Sequence, residues 1–210
     1  MKIQPNTITD KIINWLVTTK LLLWARRIPK EFLCRAKGAI IYYSTNQDAS
    51  RIFDLINASK KDKDIDLCMN YIEAYQIFVA VRSMNKIKGD IAEAGVYRGG
   101  SAKLICEAKG SKPLHLFDTF EGMPETDKEI DLFHSKGQLR VSLEQVQDYL
   151  KQYENVYFYK GTFPKTAEQI KDKIFSFVHL DVDLYKSTMD CLNFFYSRMN
   201  KGGGNSISRL

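Results

Sequence analysis

Four short apolar runs, each ending abruptly in polar or glycine-rich residues, constrain this chain more than anything else in it. They are Asp90–Ala94 (DIAEA), Leu114–Phe117 (LHLF), Val156–Tyr159 (VYFY) and Ile174–Leu180 (IFSFVHL). Runs this short and apolar, bounded by turn residues, read as strands. Helical segments lie between them: Ser101–Lys109, Ser142–Gln152, Thr166–Lys173 and Thr188–Met199. Two of these open with capping-box pairs, Ser142 with Gln145 and Thr166 with Gln169. A broad apolar helical stripe at residues 69–87 precedes the first strand. Strands alternating with helices at this spacing predict an α/β fold, a doubly wound parallel sheet with helices on both faces. In such a sheet the carboxyl ends of the strands line one crevice, and ligands bind there. The polar clusters fall at those ends: Glu93–Gly100, Asp118–Glu121, Gly161–Thr162 and Asp181–Asp183.

We divide the chain into an N-terminal helical arm and connection, 1–68, and an α/β core, 69–210. Residues 7–27 and 30–43 read as helical, and 44–68 as a polar, mobile surface connection. Ile12–Trp24 is apolar, but it runs for 13 residues and contains Lys20. A membrane-spanning helix needs about 20. Arg26, Arg27 and Lys30 follow this stretch, where a secretory signal wants small residues, and no small-residue cleavage site appears. It reads as an amphipathic helix packed on the main domain or on a neighbouring subunit. The alternative is a helix lying on a membrane surface, which Trp15, Trp24, Arg26 and Arg27 would suit. An apolar fraction of 44% excludes a disordered chain. The net charge of +6 is scattered, with no basic stripe interleaved with aromatics, and argues against nucleic-acid binding. The four cysteines, Cys34, Cys68, Cys106 and Cys191, have no metal-ligand spacing and read as reduced thiols of a cytoplasmic protein.

Three motifs carry chemistry. The first is Glu93-Ala-Gly95-Val-Tyr97-Arg98-Gly99-Gly100-Ser101. A turn that approaches a nucleotide-like ligand needs glycines, which lack the blocking Cβ. The G-x-G-x-x-G spacing that seats a pyrophosphate is absent. An acid just before the turn suits a cationic amino-acid group such as that of S-adenosylmethionine, although a purely structural turn accounts for the glycines too. The second is Asp118, in Phe117-Asp-Thr119-Phe120-Glu-Gly-Met-Pro124. An acid at the end of a second strand can accept both ribose hydroxyls, and an adjacent aromatic can cover an adenine face. A helix cap or a solvated acid is the plainer reading. The third is His179-Leu-Asp181-Val-Asp183-Leu-Tyr185-Lys-Ser187-Thr188. Two carboxylates at i and i+2 beyond a buried strand favour a cation or a proton between them, so Asp181 is a candidate metal ligand or general base. Asp183 can instead bond its own turn, and Ser187 or Thr188 can cap the next helix. His115 and His179 read as satisfied core histidines, and His134 as a loop residue.

Together, residues 89–102, 116–125, 160–166 and 177–203 resemble the macrocin O-methyltransferase (TylF-like) family. The resemblance covers about 69–203 and implies a Rossmann-like class I methyltransferase that uses S-adenosylmethionine and Mg2+ on a sugar or similar hydroxyl. It implies that Glu93, Gly95, Tyr97, Arg98, Gly99, Gly100 and Ser101 hold the methionine end of the cofactor. Asp118 would hold the ribose, with Thr119 and Phe120 near the adenosine. Asp181 would ligate the metal and serve as base. The acceptor is a small-molecule hydroxyl, and a homo-oligomer is expected. The pattern departs after Gly203, where the family has an apolar fifth strand ending in two aspartates. Here Ser208 and Arg209 stand near those positions. The reading is therefore a core lacking its C-terminal strands and the partner carboxylates of Asp181. The alternative function is a truncated, non-catalytic remnant that binds cofactor.

Overall fold

The computed structural model describes residues 52, 54–59 and 67–207. The helices expected at 7–27 and 30–43, the amphipathic stretch Ile12–Trp24, Cys34, and Ser208 and Arg209 lie outside the described residues, as do most residues of the 44–68 connection. Within that connection, however, residues 54–59 are helical and Ile52 and Ile56 are buried, so this part is not the polar surface link expected. Its apolar side chains at 52 and 56 share one helical face, and the charged residues that dominated the sequence reading flank it.

The chain divides into two compact units, Met1–Asn57 with Met69–Tyr75, and Ala58–Cys68 with Gln76–Leu210. In the first, Ile52, Ile56 and Ala74 are buried, and the Tyr71 hydroxyl donates to Asn57 Oδ1 at 2.8 Å. Helix α1 (Tyr71–Ser83) begins in this unit, with Asn70 Oδ1 accepting from the Ile72 and Glu73 amides.

The second unit holds β1 (Asp90–Ala94), α2 (Gly100–Ala108), β2 (Leu114–Asp118), α3 (Leu143–Leu150), β3 (Val156–Lys160), β4 (Phe175–Leu180), α4 (Tyr185–Tyr196) and β5 (Met199–Ile207). All four strand pairings are parallel, in the order β3-β2-β1-β4-β5. The order reverses between β1 and β4, and a ligand crevice of this fold opens there. β4 is buried throughout, as expected of a central parallel strand. On one face Phe117, Phe175 and Phe195 form an aromatic core with Ala92, Ala94, Val178 and Leu180. Phe117 stacks on Tyr159 at 4.7 Å, and Phe195 meets Phe175 edge-on at 5.1 Å.

The expected capping box of α3 forms. Ser142 Oγ accepts from the Gln145 amide, and Gln145 Oε1 accepts from the Ser142 amide, both at 3.2 Å. Ser142→Ala should cost about 1 kcal/mol in a denaturant titration. The second box does not form. Residues Lys165–Ile170 make a 3-10 helix that starts after Pro164, and the Thr166 hydroxyl is buried without a partner among the described residues.

A fifth strand is present, contrary to the sequence expectation. β5 pairs along β4, with Phe177 opposite Gly204 and Leu180 opposite Ile207. Its first part is irregular: β5 advances from Met199 to Gly204 while β4 advances from Phe175 to Phe177. The glycine run fills this bulge, where a Cβ on Gly203 would come within 2.9 Å of Ser176 O. The segment has few β-formers, so its propensity conceals a strand that pairing with the edge of β4 creates. The helix before it ends at Tyr196, three residues earlier than Met199.

His115 is a satisfied core histidine: its Nε2 lies 2.9 Å from Asp90 Oδ2 and its Nδ1 2.9 Å from the Tyr159 hydroxyl. His179 is also core, but neither ring nitrogen makes a hydrogen bond among the described residues. Burial pushes its pKa down to about 4, offset slightly by the nearby Ser206 backbone, so the ring is neutral. Cys106 and Cys191 are buried, with thiol pKa values pushed up to about 12 by burial.

Candidate active site

The turn after β1 is built by glycines at positive φ: Gly95 at 85° and Gly99 at 81°, with Tyr97 at 48° between them. Gly95 lies against the first residue after β4. A Cβ on it would stand 2.0 Å from Asp181 O. The Asp181 amide donates to Ala94 O at 2.9 Å, so the ends of β1 and β4 are tied together at the switch point. Gly99 is the N-cap of α2, and Gly100 and Ser101 begin the helix, both buried. Arg98 lies outside this line, its guanidinium 5.3 Å from the Tyr97 ring centre.

Glu93 is fully buried on β1, and neither carboxylate oxygen has a hydrogen-bond partner among the described residues. Burial holds its pKa well above the usual carboxylate range. Ser101 approaches without full hydrogen-bond geometry and offsets part of that shift, while the Asp181 and Asp118 charges add to it. The fold thus brings Glu93, Ser101, Asp118 and Asp181 into one electrostatic neighbourhood. A buried carboxylate without a hydrogen-bond partner among the described residues favours a cation or a hydrogen-bond donor.

Asp118 ends β2. Its Oδ2 accepts from the amides of Val96 at 2.8 Å and Tyr97 at 3.0 Å, and its Oδ1 from Phe120 at 2.8 Å. Thr119 donates to Gly122 O at 2.6 Å. The two aromatics beside Asp118 are buried: Phe117 in the core described above, Phe120 beside Phe158 at 6.5 Å. Neither presents the exposed ring face that the sequence reading assigned to an aromatic there, because the core claims both.

Asp183 adopts φ 57° in the turn after β4. Ser187 and Thr188 do not cap α4. The helix starts earlier, at Tyr185, and the Thr188 hydroxyl donates within the helix to Leu184 O at 3.0 Å. The Tyr185 amide is instead met by Asp131 Oδ1 at 3.2 Å. Sequence reasoning missed Asp131, because a cap supplied from 54 residues away leaves no local signal. His134 lies in the same loop, its amide donating to Asp131 O at 3.1 Å.

Among the described residues no group of three His, Cys, Asp or Glu side chains is placed to hold a metal ion. Ser208 and Arg209, near which the resemblance places the partner carboxylates of Asp181, lie outside the described residues. Ser206 and Ile207 stand at the neighbouring end of β5. Among the described residues no helix is long and apolar enough to cross a membrane.

Comparison with known proteins agrees with this fold. The family model for macrocin-O-methyltransferase (TylF) matches residues 70–207. The 8-demethyl-8-(2,3-dimethoxy-alpha-L-rhamnosyl)-tetracenomycin-C 4'-O-methyltransferase of Streptomyces olivaceus is 35% identical over 133 residues, 56% of this chain and 51% of its own. Demethyldecarbamoylnovobiocin O-methyltransferase of Streptomyces niveus is 29% identical over 135 residues, 57% of this chain and 52% of its own. The chain thus spans about half the length of the curated relatives it matches. Among solved structures, the O-methyltransferase NovP superposes with a TM-score of 0.53 at 26% identity, covering 64% of this chain and 63% of that one. With about two thirds of its length matched by the family model, the chain belongs to the macrocin O-methyltransferase family.

Proposed function

We propose that this protein is an O-methyltransferase that uses S-adenosylmethionine to methylate a sugar or similar hydroxyl of a small molecule. One observation carries the reading: a buried Glu93 carboxylate without a hydrogen-bond partner among the described residues, beside a glycine turn that lacks the pyrophosphate spacing. Such a group suits the ammonium of an amino-acid moiety. In this reading the turn from Glu93 to Ser101, with Gly95, Tyr97, Arg98, Gly99 and Gly100, holds the methionine end. Asp118, Thr119 and Phe120 stand at the adenosine end. When bound, S-adenosylmethionine supplies an electrophilic methyl carbon on a sulfonium. Asp181, at the carboxyl end of β4, would take the proton of the acceptor hydroxyl. The acceptor class follows the named relatives, one of which is named for a rhamnosyl-bearing tetracenomycin. A cytoplasmic location and a homo-oligomer fit the same reading.

No step is assigned to Mg2+, because the described donors do not assemble a site for it. That same donor set favours a second reading, a chain that binds cofactor without turnover. Calorimetric titration of S-adenosylhomocysteine, followed by methyl transfer to a rhamnoside panel with and without Mg2+, separates the two. Binding with turnover supports the enzyme, and binding alone supports the second reading. Absence of binding to the folded protein overturns both.

Glu93→Gln sharpens the test. The folded protein holds the Glu93 proton more tightly than the unfolded chain does, so the carboxyl destabilises the fold once the pH exceeds its unfolded value. The variant should therefore melt higher than wild type at pH 7, with the gap closing in acid. It should also bind S-adenosylhomocysteine more weakly, having lost the anion that faces the ammonium. Equal affinity would remove Glu93 from the cofactor site.

A further inference from the structure

We propose that His179 is a positioning residue for Glu93: a buried water donates to both side chains and aims the Glu93 carboxylate at the ammonium of the cofactor. The proposal rests on the methyltransferase reading above and adds to it a residue outside the glycine turn. Glu93 and His179 are register partners on the parallel strands β1 and β4, each the penultimate residue of its strand. Neighbouring strands stand about 4.8 Å apart, and paired residues point to the same face. That face is opposite the aromatic core, which takes Ala92, Ala94, Val178 and Leu180 from the same two strands. Two residues earlier on that face, Ile91 stands opposite Phe177, so the polar pair interrupts an apolar surface just beneath the site. The partner of Glu93 on its other side is Leu116. Of the two side chains that flank Glu93 in the sheet, only His179 is polar.

Both side chains are fully buried, and no carboxylate oxygen of Glu93 and no ring nitrogen of His179 has a hydrogen-bond partner among the described residues. Buried polar groups are paired as a rule, so two such groups side by side call for one common partner. Packing does not explain the histidine, because an apolar side chain fills a buried strand position without desolvating two nitrogens. A neutral imidazole has one donor and one acceptor. The Ser206 backbone, across from His179 on β5, favours an N–H on the ring nitrogen it faces. That leaves a lone pair on the other nitrogen. Glu93, when it faces an ammonium, is ionised and also only accepts. Two neighbouring acceptors need a donor between them, and one water with two O–H groups serves both. Held in this way by one oxygen, the carboxylate keeps the other for the ammonium.

The test is calorimetric titration of wild type and His179→Leu with S-adenosylhomocysteine and with its desamino analogue, in which hydrogen replaces the amino group, alongside thermal melts. Leucine removes both nitrogens at a similar volume, and His179→Met takes its place if that variant does not fold. Affinity of the variant for S-adenosylhomocysteine should fall about 10-fold. Its melting temperature should hold or rise, because an unpaired polar group leaves the core. For the desamino analogue, variant and wild type should agree within about threefold. A histidine that only filled the core would leave both affinities unchanged, and that result overturns the proposal. Equal losses for the two ligands would place the effect away from the ammonium and overturn it too. An amide can present a donor or an acceptor, so His179→Asn or His179→Gln should return the affinity to within about threefold of wild type. Failure of both counts against the hydrogen bond. In the Glu93→Gln background, His179→Leu should cost less than about threefold, and a full additive loss would show that His179 does not act through Glu93. Failure of wild type to bind S-adenosylhomocysteine would instead sink the methyltransferase reading on which the proposal stands.

Discussion

Gly95→Ala is expected to remove cofactor binding and to destabilise the protein by several kcal/mol. Position 95 has φ 85°, and a Cβ there would stand 2.0 Å from Asp181 O and 2.6 Å from Asp181 C. The left-handed backbone alone costs an L-residue about 1–2 kcal/mol. The larger cost is the collision, because the atoms met are backbone and have no rotamer to escape into. Relief requires the ends of β1 and β4 to part, breaking the 2.9 Å hydrogen bond from the Asp181 amide to Ala94 O. Gly137→Ala is the control. It has a similar φ of 80°, but nothing lies within 4 Å of its added Cβ. Thermal melts should show Gly95→Ala far below Gly137→Ala. Equal melting temperatures would mean that the two strand ends are not packed as described.

Phe117→Ala should cost roughly 3–5 kcal/mol, the range for deleting a buried aromatic ring. The side chain is fully buried, stacked on Tyr159 at 4.7 Å and edge-on to Phe163 at 5.5 Å and Phe195 at 6.3 Å. Truncation leaves a cavity whose walls belong to β3, α4 and the segment before the 3-10 helix, so collapse is incomplete. A drop in melting temperature of about 10 °C or more is expected. Phe133→Ala, at a ring 89% exposed, should stay within about 0.5 kcal/mol. Similar losses in the two variants would place Phe117 outside the core.

Much of the fold was legible because it is written locally. β1, β2 and β4 are short apolar runs that end in turn residues, and each begins and ends within a residue of its expected limits. Ser142 and Gln145 sit three residues apart and cap each other, so their pattern and their contact coincide. The acids at 93, 118 and 181 were legible as site candidates by position alone, since each stands at or just past the carboxyl end of a strand.

Other features were hidden because they depend on partners distant in the chain. β5 carries glycine, asparagine and serine where a strand usually carries β-branched residues, and the edge of β4 supplies the pairing that its composition lacks. The cap on α4 comes from Asp131, so the local candidates Ser187 and Thr188 misled. Phe117 and Phe120 resembled ring-stacking surfaces until the core claimed them.

What the sequence alone determined is the order of the first four strands and the helical segments between them, the glycine turn after β1 and the identity of the acids at the strand ends. Periodicity and turn chemistry act over a few residues, and such signals survive without a fold. What only the tertiary structure decided is how those acids are used. Glu93 is left with no hydrogen-bond partner among the described residues and a raised pKa, while Asp118 is occupied by three backbone amides. The two residues belong to the same chemical class and have similar places at adjacent strand ends. Their difference arises because desolvation and hydrogen-bond supply are set by neighbours that only folding brings into contact.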